Sequence, residues 1–589
     1  MFAQIALSDL SRLMLGMSVL GIALMAAEIP ANAERRPRPV YEPADPVVVP
    51  QAAAEKAWSG VPAGLRGGVG SLNLRYARNE PPKVAETGAW EGAGWRGERV
   101  NAQLLLWSRD DISQLRLESA RLSRTAAPGS IPITLRFVRY VLADQVLMPD
   151  ILDDADRVDM PARSVRPVWA TVDIPPDAAP GAYEGVVTAR AEGGQSHSFT
   201  LRLEVMPLEL PAPRDWSFHL DLWQNPYAVA RYHHVKLWSP EHFALLKPHL
   251  EMLANAGAKC LSTTIIHAPW GGQTYDSYGS MVEWTLRKDG TWKYDYSVFD
   301  KYVAFGSKCG LDKYINCYSM VPWTNKVRYL DEASGDYREA SIVPGTPEYD
   351  RIWSPFLKDF TAHLKRKGWL ARAVIAMDER PLELMKPAIA MLQREGNGLR
   401  LALAGDNEPR VQKDINDWCV IINSSVSDAT IAERTGRGEL TTFYVCTGPE
   451  RPNTFTYSPP AEAAWMGLYA SARNLSGFLR WAYDSWVEDP LYDTKHVTWQ
   501  AGDAFLVYPN ARSSIRFERL REGIQEYEKI RLLRKWAGAS ATAEVKDLDA
   551  SLAAFTYDNV IKNPAADAVD RAEAAVDRLS RAVAADGTR

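Results

Sequence analysis

The order of hydrophobic and polar residues divides the chain into regions with different periods. Between residues 56 and 208, apolar and polar residues alternate in segments such as ITLRFVRYVL (133–142) and FTLRLEVM (199–206). A period of two is typical of strands that bury one face, and clusters of Gly, Pro, Asp and Asn separate these segments. The pattern predicts an all-β sandwich over residues 56–208.

A second pattern begins after the proline-rich break at residues 207–213. Strand-like apolar segments alternate there with helix-like segments over more than 250 residues. The eight strand-like segments are 217–223, 260–267, 312–320, 373–379, 399–405, 418–423, 441–447 and 477–486. Eight such repeats are typical of a (β/α)8 TIM-type barrel. We predict this barrel over residues 214–538, followed by a C-terminal helical extension at 539–589.

The N-terminal segment predicts export. The 15-residue apolar run at 13–27 follows Arg12 and precedes the tripeptide Ala31-Asn32-Ala33. The run is shorter than the ~20 residues that span a bilayer, and its flanks are typical of a secretory signal peptide cleaved after Ala33. An uncleaved anchor or a misplaced start site are the other interpretations. We expect residues 1–33 to be a signal peptide and 34–55 a proline-rich linker. The mature protein would lie in the periplasm or outside the cell, without stable membrane insertion.

Composition narrows the classes of partner. Lys and Arg number 68 and Asp and Glu 73, a balance that argues against nucleic acid as the ligand. The 20 Trp and 24 Tyr exceed the 15 Phe, as expected where rings line a wet cleft, although a large core that uses Trp gives the same counts. The five cysteines have no CxxC spacing, and HExxH and calcium-loop motifs are missing from the sequence. The sequence therefore predicts no metal and no cofactor.

The active site of a barrel of this class lies where its strands end, at the C-terminal face. The sharpest signal is Asp378-Glu379, which follows the apolar segment AVIAM and precedes Arg380-Pro381. Two neighbouring carboxylates can keep one of them protonated near neutral pH, as a general acid requires. Alternatively, Asp378 caps the next helix and Glu379 pairs with Arg380. The aromatic and histidine candidates at the other strand ends are Trp223, His267, Trp270, Tyr444, Trp481, Tyr483 and Trp486.

Several long segments resemble the catalytic domain of glycoside hydrolase family 123, also called DUF4091. They are AVIAMDERPLELM (373–385), PNTFTYSPPAEAAWMGLYA (452–470), GFLRWAYDSWVEDPLYD (477–493), AGDAFLVYP (501–509) and SSIRFERLREGIQEYEKIRLLR (513–534). The preceding sandwich, with DIPPDAAPGAYEGVVTA at 173–189, resembles the N-terminal domain of that family. The resemblance implies a retaining, exo-acting β-N-acetylgalactosaminidase-type glycosidase that acts on a glycan or glycoconjugate.

The resemblance also implies roles for the paired carboxylates. In that family the acetamido oxygen of the substrate attacks the anomeric carbon and forms an oxazolinium intermediate. Glu379 matches the general acid/base, and Asp378 matches the residue that orients and stabilises the acetamido nitrogen. We expect the walls of the sugar pocket to come from strand eight, because residues two apart on a strand share a face. These expected wall residues are Trp481, Tyr483 and Trp486.

The remaining expectations concern single residues. Tyr444 is a candidate partner of the acetamido carbonyl, and Trp223, His267 and Trp270 are candidates for outer contacts. We also expect the C-terminal block to form scaffolding ion pairs at the base of the barrel, through Arg516, Glu518 and Arg521.

Two alternatives stay open from the residues alone. The first is a retaining glycosidase that acts on sugars without an acetamide, with Glu379 as acid/base and Glu450 as the enzymic nucleophile. The second is a non-catalytic carbohydrate-binding protein, in which the sandwich and the cleft act as a lectin-like module. Activity on sugars with and without an acetamide separates these alternatives.

Overall fold

The computed structural model describes residues 42–46, 50–86, 88–118, 120–125, 127–537 and 541–586. The predicted signal peptide and most of the predicted linker lie outside these residues. Helix α1 (Gln51–Trp58) begins within the segment predicted as linker. None of the helices in the described part of the chain is long and apolar enough to cross a membrane.

The N-terminal domain is built from strands, as the alternation predicts. Its strands are β1 (Arg66–Gly70), β2 (Ala89–Arg96), β3 (Arg99–Ser108), β4 (Ile112–Leu117), β5 (Ala120–Arg124), β6 (Ser130–Ala143), β7 (Val146–Asp153), β8 (Arg157–Met160), β9 (Ser164–Asp173), β10 (Gly181–Arg190) and β11 (Ser196–Glu209). One layer contains β1, β3, β9, β6 and β7, and the other contains β5, β10, β11 and β2 with β4 and β8. The long strand β6 joins the layers by pairing with both β9 and β5.

Burial along these strands follows the predicted period with one informative departure. On β11, Phe199, Leu201 and Leu203 point into the core while the residues between them are more exposed. Strand β9 is instead buried along nearly its whole length. The reason is that the outer face of the layer is covered, because Trp169 of β9 lies in one apolar cluster with Ile515 of the barrel domain.

All eight predicted barrel segments overlap a strand of one parallel sheet. The barrel strands are β12 (His219–Leu222), β13 (Cys260–Thr264), β16 (Tyr314–Tyr318), β19 (Ala373–Asp378), β20 (Arg400–Gly405), β21 (Asp417–Ile421), β22 (Leu440–Tyr444) and β23 (Gly477–Arg480). The hydrogen-bonded order is β12-β23-β22-β21-β20-β19-β16-β13. The two end strands adjoin through His219, whose Nε2 lies 3.6 Å from Sγ of Cys260. The predicted fold class, a β-sandwich followed by an eight-stranded parallel barrel, is confirmed.

Helices surround the barrel and extend it at the C-terminus. They are α2 (Pro226–His233), α3 (Pro240–Asn255), α4 (Ser297–Lys308), α5 (Pro347–Lys367), α6 (Leu382–Glu395), α7 (Asp428–Gly436), α8 (Pro460–Ala472), α9 (Ile515–Trp536), α10 (Thr542–Leu552), α11 (Tyr557–Val560) and α12 (Ala565–Ala585). Helix α9 is buried along most of its length, although it carries many charged residues. Those charges must therefore find partners inside the protein.

A small sheet at the C-terminal face was not predicted from the sequence. It contains β14 (Glu283–Leu286), β15 (Trp292–Asp295), β17 (Lys326–Asp331) and β18 (Asp336–Ser341), in the order β15-β14-β17-β18. We call it the inserted sheet, because the segments that follow barrel strands β13 and β16 each supply one hairpin. The Asp289-Gly290 turn, with Gly290 at φ +82°, is a hairpin signal that the sequence does contain.

The charged side chains of α9 join the barrel to the sandwich. Nε of Arg516 lies 2.9 Å from Oδ2 of Asp150 on β7, and Oε2 of Glu518 lies 3.4 Å from Nη1 of Arg99 on β3. Of the three expected residues, Arg521 forms no ion pair within the described part of the chain. Arg516 and Glu518 form the expected scaffolding ion pairs, but these pairs cross to the sandwich. Sequence position alone did not reveal this, because both partners come from a different domain.

The sandwich also holds the segment that follows barrel strand eight. Leu142 at the end of β6 forms a parallel bridge with Asp493, and Oδ2 of Asp144 accepts a hydrogen bond from the backbone N–H of Ala501 at 3.0 Å. We call residues 489–502 the strand-eight loop. The sandwich thus fixes a loop that lies at the C-terminal face of the barrel.

Candidate active site

Asp378 and Glu379 lie at the C-terminal end of barrel strand β19. Asp378 is 8% exposed, and its Oδ2 accepts a hydrogen bond from the indole N–H of Trp323 at 3.0 Å. Glu379 follows the last residue of the strand, and its Oε1 accepts a hydrogen bond from the hydroxyl of Tyr444 at 2.5 Å. The two neighbouring carboxylates therefore have different partners on different walls of the barrel mouth.

The structure shows neither of the two scaffolding roles considered for this pair, in which Asp378 caps the next helix and Glu379 pairs with Arg380. Pro381 is the N-cap of helix α6, and no side chain caps that helix. Arg380 donates to Oδ1 of Asn325 at 3.3 Å and forms no ion pair with Glu379. Both carboxylates are thus left available in the mouth of the barrel.

The environment of the pair favours protonation. Burial raises the pKa of Asp378 to about 7, and the charge of Glu379 adds to this effect against the hydrogen bond from Trp323. The pKa of Glu379 is also raised, first by the surrounding protein and then by the charge of Asp406, against the hydrogen bond from Tyr444. Although barrel walls surround it, the Glu379 side chain remains open to solvent. A substrate oxygen could therefore reach its carboxyl group.

Aromatic rings form the wall on the β12, β13 and β16 side. Trp223 stacks on Trp270 with ring centroids 4.9 Å apart, and Tyr318 lies 4.6 Å from the former and 4.8 Å from the latter. All three rings are nearly buried. The indole N–H groups of Trp223 and Trp270 have no hydrogen-bond partner within the described chain.

Other predicted residues occupy different walls. Trp481 is partly buried, donates from its indole N–H to Oδ1 of Asp503 at 3.2 Å, and faces the ring edge of Trp499 at 6.4 Å. Tyr444 is nearly buried and is the partner of Glu379 in this structure. His267 is half-buried on the side of the inserted sheet, where burial and then the charge of Arg328 lower its pKa.

The structure does not bring Tyr483 and Trp486 to the cleft. Both are fully buried. The hydroxyl of Tyr483 donates to the carbonyl of His249 at 3.0 Å, and the indole of Trp486 donates to the carbonyl of Val507 at 2.8 Å. The prediction that these residues share one face of strand eight was wrong, because β23 ends at Arg480 and the regular alternation of a strand stops before them.

Trp323 is a site residue that the sequence did not predict. Trp323 lies between β16 and β17, in a segment without a regular period. Asp406 directly follows barrel strand β20, at the strand end where the sequence predicts a site carboxylate. Glu450 is exposed, and the groups whose pKa values its charge raises are Tyr457 and Glu462. The carboxylate whose charge raises the pKa of Glu379 is Asp406.

A parallel barrel with paired carboxylates and stacked rings at its C-terminal face is a common architecture of glycoside hydrolases. The family model described as "Glycoside hydrolase 123, catalytic domain" matches residues 223–533, more than half of the chain. The model described as "Glycoside hydrolase 123 N-terminal domain" matches residues 69–191. The chain belongs to glycoside hydrolase family 123, and it is a glycosidase by that membership.

One solved structure agrees with this assignment. A family 123 glycoside hydrolase from Clostridium perfringens is 25% identical to this chain, at a TM-score of 0.81. The match covers 90% of this chain and 100% of that chain. A family 39 glycoside hydrolase from Bacteroides cellulosilyticus WH2 is 10% identical at a TM-score of 0.33, with 74% of this chain and 82% of that chain covered. The second likeness is too weak to carry an argument. No curated protein matches the chain.

Proposed function

We propose that the protein is an exported, retaining exo-β-N-acetylgalactosaminidase-like enzyme in which the acetamido group of the substrate is the nucleophile. The observation that carries the proposal is the arrangement of Asp378 and Glu379. They are adjacent, both have raised pKa values, and each has its own hydrogen-bond donor. One can therefore act on the leaving oxygen while the other acts on the acetamido nitrogen.

The proposed reaction has two steps. Protonated Glu379 donates its proton to the glycosidic oxygen while the acetamido oxygen attacks the anomeric carbon, so that the C–O bond breaks and an oxazolinium ion forms. The Asp378 carboxylate accepts a hydrogen bond from the nitrogen, where positive charge develops. Glu379 then removes a proton from a water molecule that opens the oxazolinium ion, with net retention. An intramolecular nucleophile is effective because it is held close to the carbon that it attacks.

One observation favours testing a second mechanism, in which a carboxylate of the enzyme is the nucleophile. Asp406 lies near enough for its charge to raise the pKa of Glu379. Glu450, the nucleophile expected from the sequence for this alternative, is exposed and acts instead on Tyr457 and Glu462. A retaining enzyme of that kind needs its two carboxyl groups roughly 5 Å apart.

The decisive experiment compares four aryl β-glycosides. They carry N-acetylgalactosamine, N-acetylglucosamine, galactose and glucose, and each is assayed with and without an N-acetylgalactosamine thiazoline. We expect turnover of the acetamido sugars only, with inhibition by the thiazoline. Turnover of the galactoside or the glucoside that the thiazoline does not inhibit would identify an enzymic nucleophile. Sugar binding without any turnover would identify a carbohydrate-binding protein.

The natural substrate and the location follow from separate observations. The Clostridium perfringens relative is described by its glycolipid glycan hydrolysis, so a glycolipid with a terminal N-acetylgalactosamine is the first natural substrate to assay. Export rests on residues 1–33 of the sequence. N-terminal sequencing of the mature protein from the periplasm or the medium should begin at Glu34, and an intact Met1 in the cytoplasm would contradict export.

A further inference from the structure

Trp323 holds a fixed position at the rim of the cleft. Its backbone N–H donates to the carbonyl of Pro269 at 2.8 Å, and its indole N–H donates to Oδ2 of Asp378 at 3.0 Å. The side chain is nevertheless 37% exposed. A tethered ring that keeps this much surface in water beside a reacting carboxylate is a surface on which a sugar can pack.

Arg380 lies against this ring, and none of the described residues forms an ion pair with it. Its Cζ is 5.3 Å from the centroid of Trp323, and its guanidinium donates to Oδ1 of Asn325 at 3.3 Å. Its Nε is buried and has no hydrogen-bond partner in the described chain. Burial lowers the pKa of Arg380, and Asp378 opposes this effect from beyond ion-pair distance.

Two fully buried arginines of this protein illustrate how a guanidinium is satisfied inside it. Arg480 and Asp503 lie 2.6 Å apart, and Arg516 and Asp150 lie 2.9 Å apart, with all four side chains almost inaccessible to solvent. A guanidinium that loses water without gaining an anion is costly. The unpaired guanidinium of Arg380 is therefore the kind of group that an anionic ligand would satisfy.

We propose that Arg380 and Trp323 form a subsite for an anionic group of the substrate, a sulfate or a carboxylate. The planar guanidinium can donate two parallel hydrogen bonds to such a group, while the Trp323 ring packs against the sugar that carries it. The anion is borne either by the sugar held in the cleft or by the sugar that leaves. This inference rests on the proposed glycosidase function, and its substrate class is an acidic glycan or glycoconjugate.

Paired substrates test the proposal and separate the two sources of the anion. The first pair is aryl β-N-acetylgalactosaminide with and without a sulfate on the sugar, at O4 or O6. The second pair is a β-linked N-acetylgalactosamine disaccharide whose leaving sugar is glucuronic acid or glucose. We expect the wild type to prefer the anionic member of one pair by about tenfold or more in kcat/KM, as for hydrogen bonds to charged groups.

Two variants assign the preference to the subsite. Arg380→Gln should remove it, lowering kcat/KM more for the anionic member than for the neutral one. Arg380→Lys keeps the positive charge but loses the planar group that donates two parallel hydrogen bonds, so it should retain part of the preference. The matched control is Arg287→Gln, which removes an equally charged, exposed side chain from the turn after β14 and should leave the preference intact. A wild type without preference in either pair, or a preference that survives in Arg380→Gln, would overturn the proposal.

Direct binding measurements test the subsite without relying on turnover. N-acetylgalactosamine 6-sulfate and 4-sulfate, glucuronic acid and neutral N-acetylgalactosamine are titrated calorimetrically into the folded wild type and the same variants. We expect an anionic sugar to bind about tenfold or more tightly than the neutral sugar, and Arg380→Gln to abolish the difference. Turnover of neutral acetamido substrates with no anion effect refutes this inference alone. Failure to turn over any acetamido sugar refutes the proposed function, and the titration then decides on the subsite.

Discussion

Two adjacent carboxylates with different surroundings are the main chemical feature of the protein. Asp378 is nearly buried and accepts a hydrogen bond from Trp323, whereas Glu379 opens to solvent and accepts one from Tyr444. Environment decides which of two carboxyl groups serves as acid and which as charge stabiliser. The geometry favours Glu379 as the group that reaches the leaving oxygen.

Replacing Glu379 by Gln should separate substrates by leaving group. We expect kcat/KM to fall by about 100-fold or more for a disaccharide, because its leaving oxygen needs a proton. A dinitrophenyl glycoside should lose much less, since its leaving group departs without protonation. Asp378→Asn should lower kcat/KM for both substrates. The control, Glu450→Gln, should change neither value appreciably. Equal small effects of the first two substitutions would contradict the assigned roles.

The hydrogen bond from Trp323 should set the acid side of the pH profile. Burial raises the pKa of Asp378 to about 7 and the indole N–H lowers it, so Trp323→Phe should raise it further. If ionised Asp378 is the active form, the acid limb of kcat/KM moves up by about 0.5–1 pH unit, and activity at pH 6 falls more than at pH 8. Trp499→Phe, which lacks contact with Asp378, should leave that limb in place. An unmoved acid limb in Trp323→Phe would show that Asp378 does not control it.

Residue-level prediction succeeded where a regular element positions the side chain. The strand-end rule placed Asp378 and Glu379 in the barrel mouth, because β19 is an apolar strand followed at once by Pro381. It misplaced Tyr483 and Trp486, because the strand before them is only four residues long. Trp323 could not be found this way, since its position depends on hydrogen bonds to residues that are distant in the sequence.

At the scale of elements, the strands and their order were readable from apolar runs and turn residues. Each of the eight predicted segments overlaps a barrel strand, although most of these strands are shorter than the segments that predicted them. The inserted sheet was missed because its strands are short and lie in loops, where burial does not impose a clear alternation. The role of α9 was missed for another reason, because its partners are in the sandwich.

Helix α9 should depend on Arg516 more than on any exposed charge pair. Its guanidinium is bonded to Oδ2 of Asp150 and to the carbonyls of Thr454, Gly502 and Phe505, all at 3.0 Å or less. Arg516→Met leaves the three buried carbonyls without this donor and removes one of the two arginines paired with Asp150, which keeps hydrogen bonds from Arg75 and Tyr508. We therefore expect a loss of about 3–5 kcal/mol in the free energy of unfolding.

Chemical denaturation measures this loss, with a control on the same helix. Arg534 lies 2.9 Å from Asp549 in an exposed pair, so Arg534→Met should cost about 0.5 kcal/mol or less. Equal losses for the two variants would mean that the interface between helix and sandwich contributes little to stability.

At the scale of the whole molecule, the sandwich acts as a support for the catalytic face. Leu142 and Asp144 at the end of β6 hold the strand-eight loop, which carries Trp499. Trp499 donates from its indole to the carbonyl of Gln273 and lies edge-on to Trp481. The sandwich therefore reaches the cleft through a loop, without supplying a residue of the carboxylate pair.

This coupling predicts that a sandwich residue tunes catalysis. Asp144→Ala removes the acceptor of the Ala501 N–H, and we expect kcat/KM to fall about fivefold, the effect of one lost hydrogen bond on the position of the loop. Asp144→Asn keeps an acceptor oxygen and tolerates the left-handed backbone at φ +48°, so it should restore most of the activity. Asp177→Ala, an exposed sandwich aspartate, is the matched control and should behave as the wild type. Steady-state kinetics and melting temperatures are measured together for all three variants. If activity falls only in proportion to stability, or Asn fails to rescue it, the sandwich stabilises the fold without positioning the cleft.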